Sequence, residues 1–401
     1  MAASRSMASE SMWSAPSTLA WSPNALISIE RAASMTKPPY VLESGIQAAA
    51  LPEIRNHTQF PSQYFQMMDS DDHLFHVLVS RVSYDLLNLD ANAMPRLAKT
   101  QTPLVQADQF YGQPNTSALI QESDFAPYKP QCDIVFAHAN AYAPGEQAVQ
   151  RWPVGVRVGD WSKLLMVCGP RTMAAGLMGY KLSEPAPAIQ VPLRYELAFG
   201  GAQQPDPTRP TELAGAQAMY LPNPIGCGWL GKAGLQKTKQ AAMRAPQIEV
   251  FNQALDDAAL ARQNYPVVGL GAIGRWWQPR VDLTGTYDAV WQEHRWPRLP
   301  KDANPAYWNC APEDQQIAWP KGGEEILLAG LTPGGGRFKA KLPDQPPYAL
   351  ARLHAGPILP RSMHLDTLLF DMHTMTLSCV HRMLIAADAG VRVLEIRRKE
   401  D

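Results

Sequence analysis

Regular alternation of apolar and polar positions begins near Phe75. In Phe75–Tyr84 (FHVLVSRVSY), Phe75, Val77 and Val79 fall on one face of an extended chain, with Leu78, Val82 and Tyr84 on the other. The β-branched and aromatic content of that run predicts a strand. Residues 133–138 (DIVFAH) predict another. Val154, Val156 and Val158 alternate with Gly155 and Arg157, and a turn at Gly159-Asp160 leads into LLMVC. Residues 153–168 therefore predict a hairpin.

Strand signals return near the C-terminus. EEILLAGL, the turn TPGGG and RFKAKL predict a hairpin with Phe338, Ala340 and Leu342 facing in and Arg337, Lys339 and Lys341 facing out. LDTLLFD and TMTLSCVHRMLI, joined through Met372-His373, predict a second pair, and RVLEIR a last strand. Helical spacing shows in only two short segments, 255–263 and Tyr287–Arg295. In the second, Tyr287, Val290, Trp291 and His294 fall at i, i+3, i+4 and i+7, with Thr286 placed to cap and Pro297 to stop it. The pattern predicts a mainly β fold of antiparallel sheets, β-sandwich-like, with a loop-rich middle and a few short helices. Four regions follow: a tail over 1–50, a β region over 51–200, a Trp/Pro-rich loop region over 201–320 packed on the sheets, and a β region over 321–401.

Composition sharpens this picture. With 36 prolines and 27 glycines in 401 residues, about a sixth of the chain interrupts helices, which favours loop-rich β structure. The 36 basic and 37 acidic residues nearly cancel, so the net charge gives no reason to expect nucleic acid. The five cysteines include no CxxC pair, so neither a disulfide framework nor a zinc site is predicted, and buried thiols in a reducing cytoplasm are expected. No apolar run approaches the roughly 20 residues needed to span a bilayer, and no membrane insertion is expected. The Ser/Ala/Met-rich first fifty residues lack a secretory h-region and the hydrophobicity to bury themselves.

Candidate chemistry concentrates in Arg275–Trp319, which holds six of the eleven tryptophans. Aromatic and arginine side chains are enriched where proteins bind partners. Just upstream, Gly269, Gly271 and Gly274 spell GLGAIG, a dinucleotide-binding spacing, but Arg275, Trp276, Trp277, Gln278 and Pro279 follow where a helix should start. Tight turns packed against the tryptophans are the expected use, and no cofactor is predicted. His73 and His76 lie on opposite sides of a strand and predict no metal site. No GxSxG elbow is present. Asp288, Glu293, His294, Glu313 and Asp314 among tryptophans supply the carboxylates that glycoside hydrolysis needs, so a carbohydrate-active or cell-wall hydrolase acting near Asp288 is the alternative function. Helix capping and structural ion pairs account for the same residues without catalysis.

Seven segments in order carry a resemblance: LVQADQFYG (104–112), QESDFAPYKPQCDIVFAHANAYAP (121–144), VRVGDWSK (156–163), PLRYELAFGG (192–201), NPIGCGW (223–229), GLGAIGRWWQPR (269–280) and GTYDAVWQEHRWPRLPKDANPAYWNCAPEDQQ (285–316). From about residue 56 to the C-terminus the chain resembles a domain-of-unknown-function family encoded in bacterial type VI secretion loci. The resemblance implies a cytoplasmic adaptor or chaperone that loads a toxic effector onto the VgrG spike or its PAAR tip. It implies no enzyme and no catalytic residues. The residues expected to meet such a partner are the exposed members of Trp276, Trp277, Arg295, Trp296 and Arg298; an exposed sheet edge is a second handle.

Overall fold

Leu74–Leu89 is the longest strand, and the molecule is arranged around it. The computed structural model describes residues 51–176, 179–202, 219–231 and 242–398. The tail expected over residues 1–50 lies outside them. The first sheet runs in the order Gln316–Ile317, Cys132–Ala137, His364–Asp371, Thr376–Ala386, Leu74–Leu89 and Ser62–Met68, with Pro95–Leu97 pairing onto the long strand. A second sheet has the order Ile248–Val250, Trp161–Cys168, Arg151–Val158, Glu325–Ala329 and Arg337–Lys341, and a third Glu53–Asn56, Val391–Arg397, Tyr348–Leu353 and Ile358–Ser362.

The predicted hairpins form at these places. Val158 pairs with Trp161 across the turn, where Gly159 has φ 56°, a value that glycine adopts without a Cβ penalty. Ile326 pairs with Ala340 in the second hairpin, and Phe370 with Leu377 in the third. The fold is mainly β. Among the described residues, three strand pairings depart from the antiparallel expectation: Cys132–Ala137 runs parallel to His364–Asp371, Glu53–Asn56 to Val391–Arg397, and Phe199–Gly200 to Cys227–Gly228. Alternation fixes which face a residue occupies and carries no information on strand direction. Strands from the regions 51–200 and 321–401 share all three of these sheets.

One face of the long strand serves two cores. Val82, Tyr84 and Leu86 join Val154, Val156, Leu165, Ile326 and Leu328 of the second sheet. Leu78, farther along the same face, joins Ala349, Ala351, Met383, Leu394 and Ile396 against the third. Phe136 and Phe370 stack in the larger core with ring centroids 4.6 Å apart. Each fully buried aliphatic or aromatic side chain there contributes about 1.5–3 kcal/mol.

The two short helices also form, over Asp257–Arg262 and Ala289–His294. The second is capped by Asp288, whose side chain accepts from the Trp291 N–H at 2.8 Å. Thr286, expected in that role, donates its hydroxyl to Asp302 Oδ2 at 2.6 Å instead. An ionised carboxylate at the cap also opposes the helix dipole, which favours this exchange.

Candidate functional site

The opposite face of the first sheet carries charge. Arg81 projects from the long strand, Arg382 from Thr376–Ala386, Asp366 from His364–Asp371 and Asp133 from Cys132–Ala137, all buried. Two long loops close over them. Arg81 donates to Asp124 and Gln121, each at 3.1 Å. Arg382 pairs with Asp366 at 2.6 Å and donates to the backbone carbonyls of Asp124 and Ala126. Lys129 reaches Asp133 at 2.7 Å and Thr367 at 2.9 Å. Asp133 also accepts the backbone N–H groups of Cys310 and Ala311 and the Asn309 amide. Buried charges are tolerated only when paired and hydrogen-bonded; Arg382–Asp366 links two strands, and the other contacts close loops onto the sheet.

The layer continues into the tryptophan-rich segment. Arg280 is 2.7 Å from Glu122 and donates to the carbonyls of Ile273 and Tyr307. Arg275 bridges Glu122 and Asp108, each at 3.0 Å. Burial opposes the charge on Lys129 most strongly, yet Asp133, Cys310, Asp366 and Glu122 together outweigh it and hold the ammonium above its ordinary pKa. Burial pushes Glu122 upward while Arg280 and Arg275 pull against it. Burial, then Asp133, raises the Cys310 thiol well above its usual value, which favours the protonated thiol. A cavity of about 20 Å³ beside Glu122, Lys129, Thr367 and Arg382 has room for one water.

The five residues expected to meet a partner separate into two places. Trp277 is buried, edge-on to Tyr195 with ring centroids 5.4 Å apart, and Trp276 is half-buried against the same core. Arg295 turns back to the hairpin turn before the long strand, donating to Asp72 at 2.9 and 3.2 Å and to the Ser70 carbonyl. Hydrogen bonding by Arg295 lowers the Asp72 pKa. Arg298 lies 3.5 Å from the same carboxylate. Trp296 remains 41% exposed, alongside Tyr287 at 42% and Val290 at 64%. Tyr287 packs on Trp291 at 4.6 Å, and the Trp291 indole donates to the Arg298 carbonyl at 2.9 Å. Helix and turn thus form one tethered surface element.

The carboxylates named for catalysis do different things. Asp288 caps a helix, Asp314 is 2.7 Å from Lys163, and Glu293 is exposed beside His294. The glycine spacing serves packing: a Cβ on Gly269 would stand 2.7 Å from the Tyr195 ring, and one on Gly274 2.6 Å from the Trp277 indole. The next helical turn starts only at Arg280. His73 contacts Asp69 and His76 contacts Tyr64, on different partners.

Glu122, Asp124, Lys129 and Asp133, which organise the buried layer, were not singled out from the sequence. The available signal was four charges within thirteen residues of QESDFAPYKPQCD, between apolar runs. Their partners lie up to 258 residues away, beyond any local pattern.

Beside this layer lies a groove of about 520 Å³, bounded by Tyr195, Ile273, Pro279 and the turn Pro312–Asp314. Fold and site together define a mainly β protein whose long loops are pinned by buried ion pairs. Residues 72–382 match the model of DUF2169, a family of uncharacterized proteins conserved in bacteria, and the chain belongs to that family. No curated protein and no solved structure matches it.

Proposed function

We propose that this chain is a non-catalytic type VI secretion adaptor that holds a toxic effector in the bacterial cytoplasm for loading onto the VgrG/PAAR spike. The observation that carries the reading is the exposed group of Tyr287, Val290 and Trp296 on a rigidly tethered element. Large apolar side chains exposed together, rimmed by charge, are characteristic of partner-binding surfaces. Arg298 and Lys301 beside Asp71 and Asp72 supply the rim. The Arg295–Asp72 pair and the Asp288 cap fix the element in advance, which lowers the ordering cost of binding.

The test is co-purification from the native host of the neighbouring-gene effector and spike protein with Val290→Asp/Trp296→Ala. Truncating a binding hot spot costs about 2 kcal/mol or more, so the variant is expected to lose most of the captured partner while keeping its thermal midpoint. Undiminished capture sinks this surface. Failure of the unmodified protein to capture any secretion component sinks the adaptor reading itself.

A further inference from the structure

We propose that the groove of about 520 Å³ bounded by Tyr195, Val267 and Ile273 is a docking site for an arginine side chain of a partner protein. The inference stands on the groove's own chemistry and does not require the adaptor reading. Its volume falls in the range of ligand-binding clefts. Three of its walls are prolines, Pro222, Pro279 and Pro312. They present rigid hydrocarbon surface and no backbone N–H, so these walls offer contact area without donors.

The polar groups are few and unequal. Asp314 is spent: its two oxygens lie 2.8 and 2.7 Å from Lys163 Nζ. The Asp314 carbonyl accepts the Trp161 indole N–H at 2.7 Å. The Tyr195 hydroxyl is also used, donating to the Gly271 carbonyl at 3.2 Å. Glu313 differs. It lines the groove, it is exposed, and among the described residues its side chain has no ion-pair or hydrogen-bond partner. No lysine, arginine or histidine lines the groove among those residues. The groove therefore combines apolar walls with one unspent negative charge at its rim.

A cation on an aliphatic stem complements both. The stem of arginine covers apolar surface while its head stays at the polar edge. Its planar fork can engage the Glu313 carboxylate through two N–H groups and still offer another to the Gln278 side-chain carbonyl. Lysine offers a more strongly hydrated point charge to the same site, so it ranks below arginine. The Lys163–Asp314 pair keeps the second carboxylate fixed, so among the described residues Glu313 sets the charge preference.

Calorimetry on the full chain tests this with capped five-residue peptides whose central arginine, lysine, norleucine or glutamate is flanked by leucines. Saturable binding is expected in the order arginine, lysine, norleucine, with arginine at least tenfold tighter than norleucine and glutamate weakest. Glu313→Gln should reduce the arginine-to-norleucine ratio to within about twofold, and Gln278→Lys, which places a competing cation in the groove, should weaken the arginine peptide. Glu293→Gln, an exposed acid elsewhere, should change nothing. Equal binding of arginine and norleucine peptides overturns the proposal. So does an unchanged ratio in Glu313→Gln, or no saturable binding of any peptide at millimolar concentration.

Discussion

Arg280 Nη2 sits 2.7 and 2.9 Å from the two carboxylate oxygens of Glu122, a buried pair whose members are 158 residues apart in sequence. That contact joins the loop that covers the first sheet to the start of the tryptophan-rich segment. The same guanidinium holds the Ile273 and Tyr307 carbonyls, so one side chain fixes three stretches of backbone.

Breaking the pair from one side strands a buried charge. Glu122→Leu and Arg280→Met are each expected to lower unfolding stability by about 3–5 kcal/mol. The double variant Glu122→Leu/Arg280→Met should cost clearly less than the sum of the single losses, because neither charge remains. Urea unfolding of the four proteins measures this directly. Additive losses would mean that the two residues are not energetically coupled.

The two ends of the tryptophan segment should respond in opposite ways. Trp277 is 3% exposed and Trp296 41%. Trp277→Ala is expected to cost about 3–5 kcal/mol by leaving a cavity against Tyr195, whereas Trp296→Ala should stay within about 1 kcal/mol. Thermal unfolding distinguishes them. A large loss in Trp296→Ala would make that side chain part of the core rather than of a partner surface.

Acid should weaken the third sheet through Glu395. Its carboxylate is buried, 2.5 Å from Arg352 and 2.8 Å from Arg397. Hydrogen bonds from these two arginines hold its pKa down to about 2, against an ordinary 4.5. A folded-state pKa below the unfolded value contributes stability that is complete above pH 4.5 and is lost as pH falls through about 2. Urea midpoints followed from pH 6 to pH 2 should therefore fall less steeply for Glu395→Gln than for the unmodified protein, within the lower half of that range. Parallel curves would remove Glu395 from the acid response.

Much of the fold was legible in the chain. The alternation of Val154, Val156 and Val158, the turn at Gly159 and the spacing of Phe338, Ala340 and Leu342 each specify a local element, because a strand's faces repeat every two residues. The failed glycine fingerprint was also readable, since Pro279 stands where a helix would need to run. The candidate surface was legible only in part. The segment was found, but sequence alone could not say that Trp277 turns inward and Trp296 outward.

By itself, then, the sequence determined strand positions, hairpin turns, a mainly β class and the segments that mark the family. Tertiary structure alone decided that Cys132–Ala137 lies parallel to His364–Asp371, that Glu122 meets Arg280, that Asp288 rather than Thr286 caps the helix, and that Glu313 is left without a described partner beside a groove. The reason is physical. Periodicity arises from neighbours within one element, whereas strand direction, ion pairing and exposure depend on groups brought together from hundreds of residues apart, whose energies no local window contains.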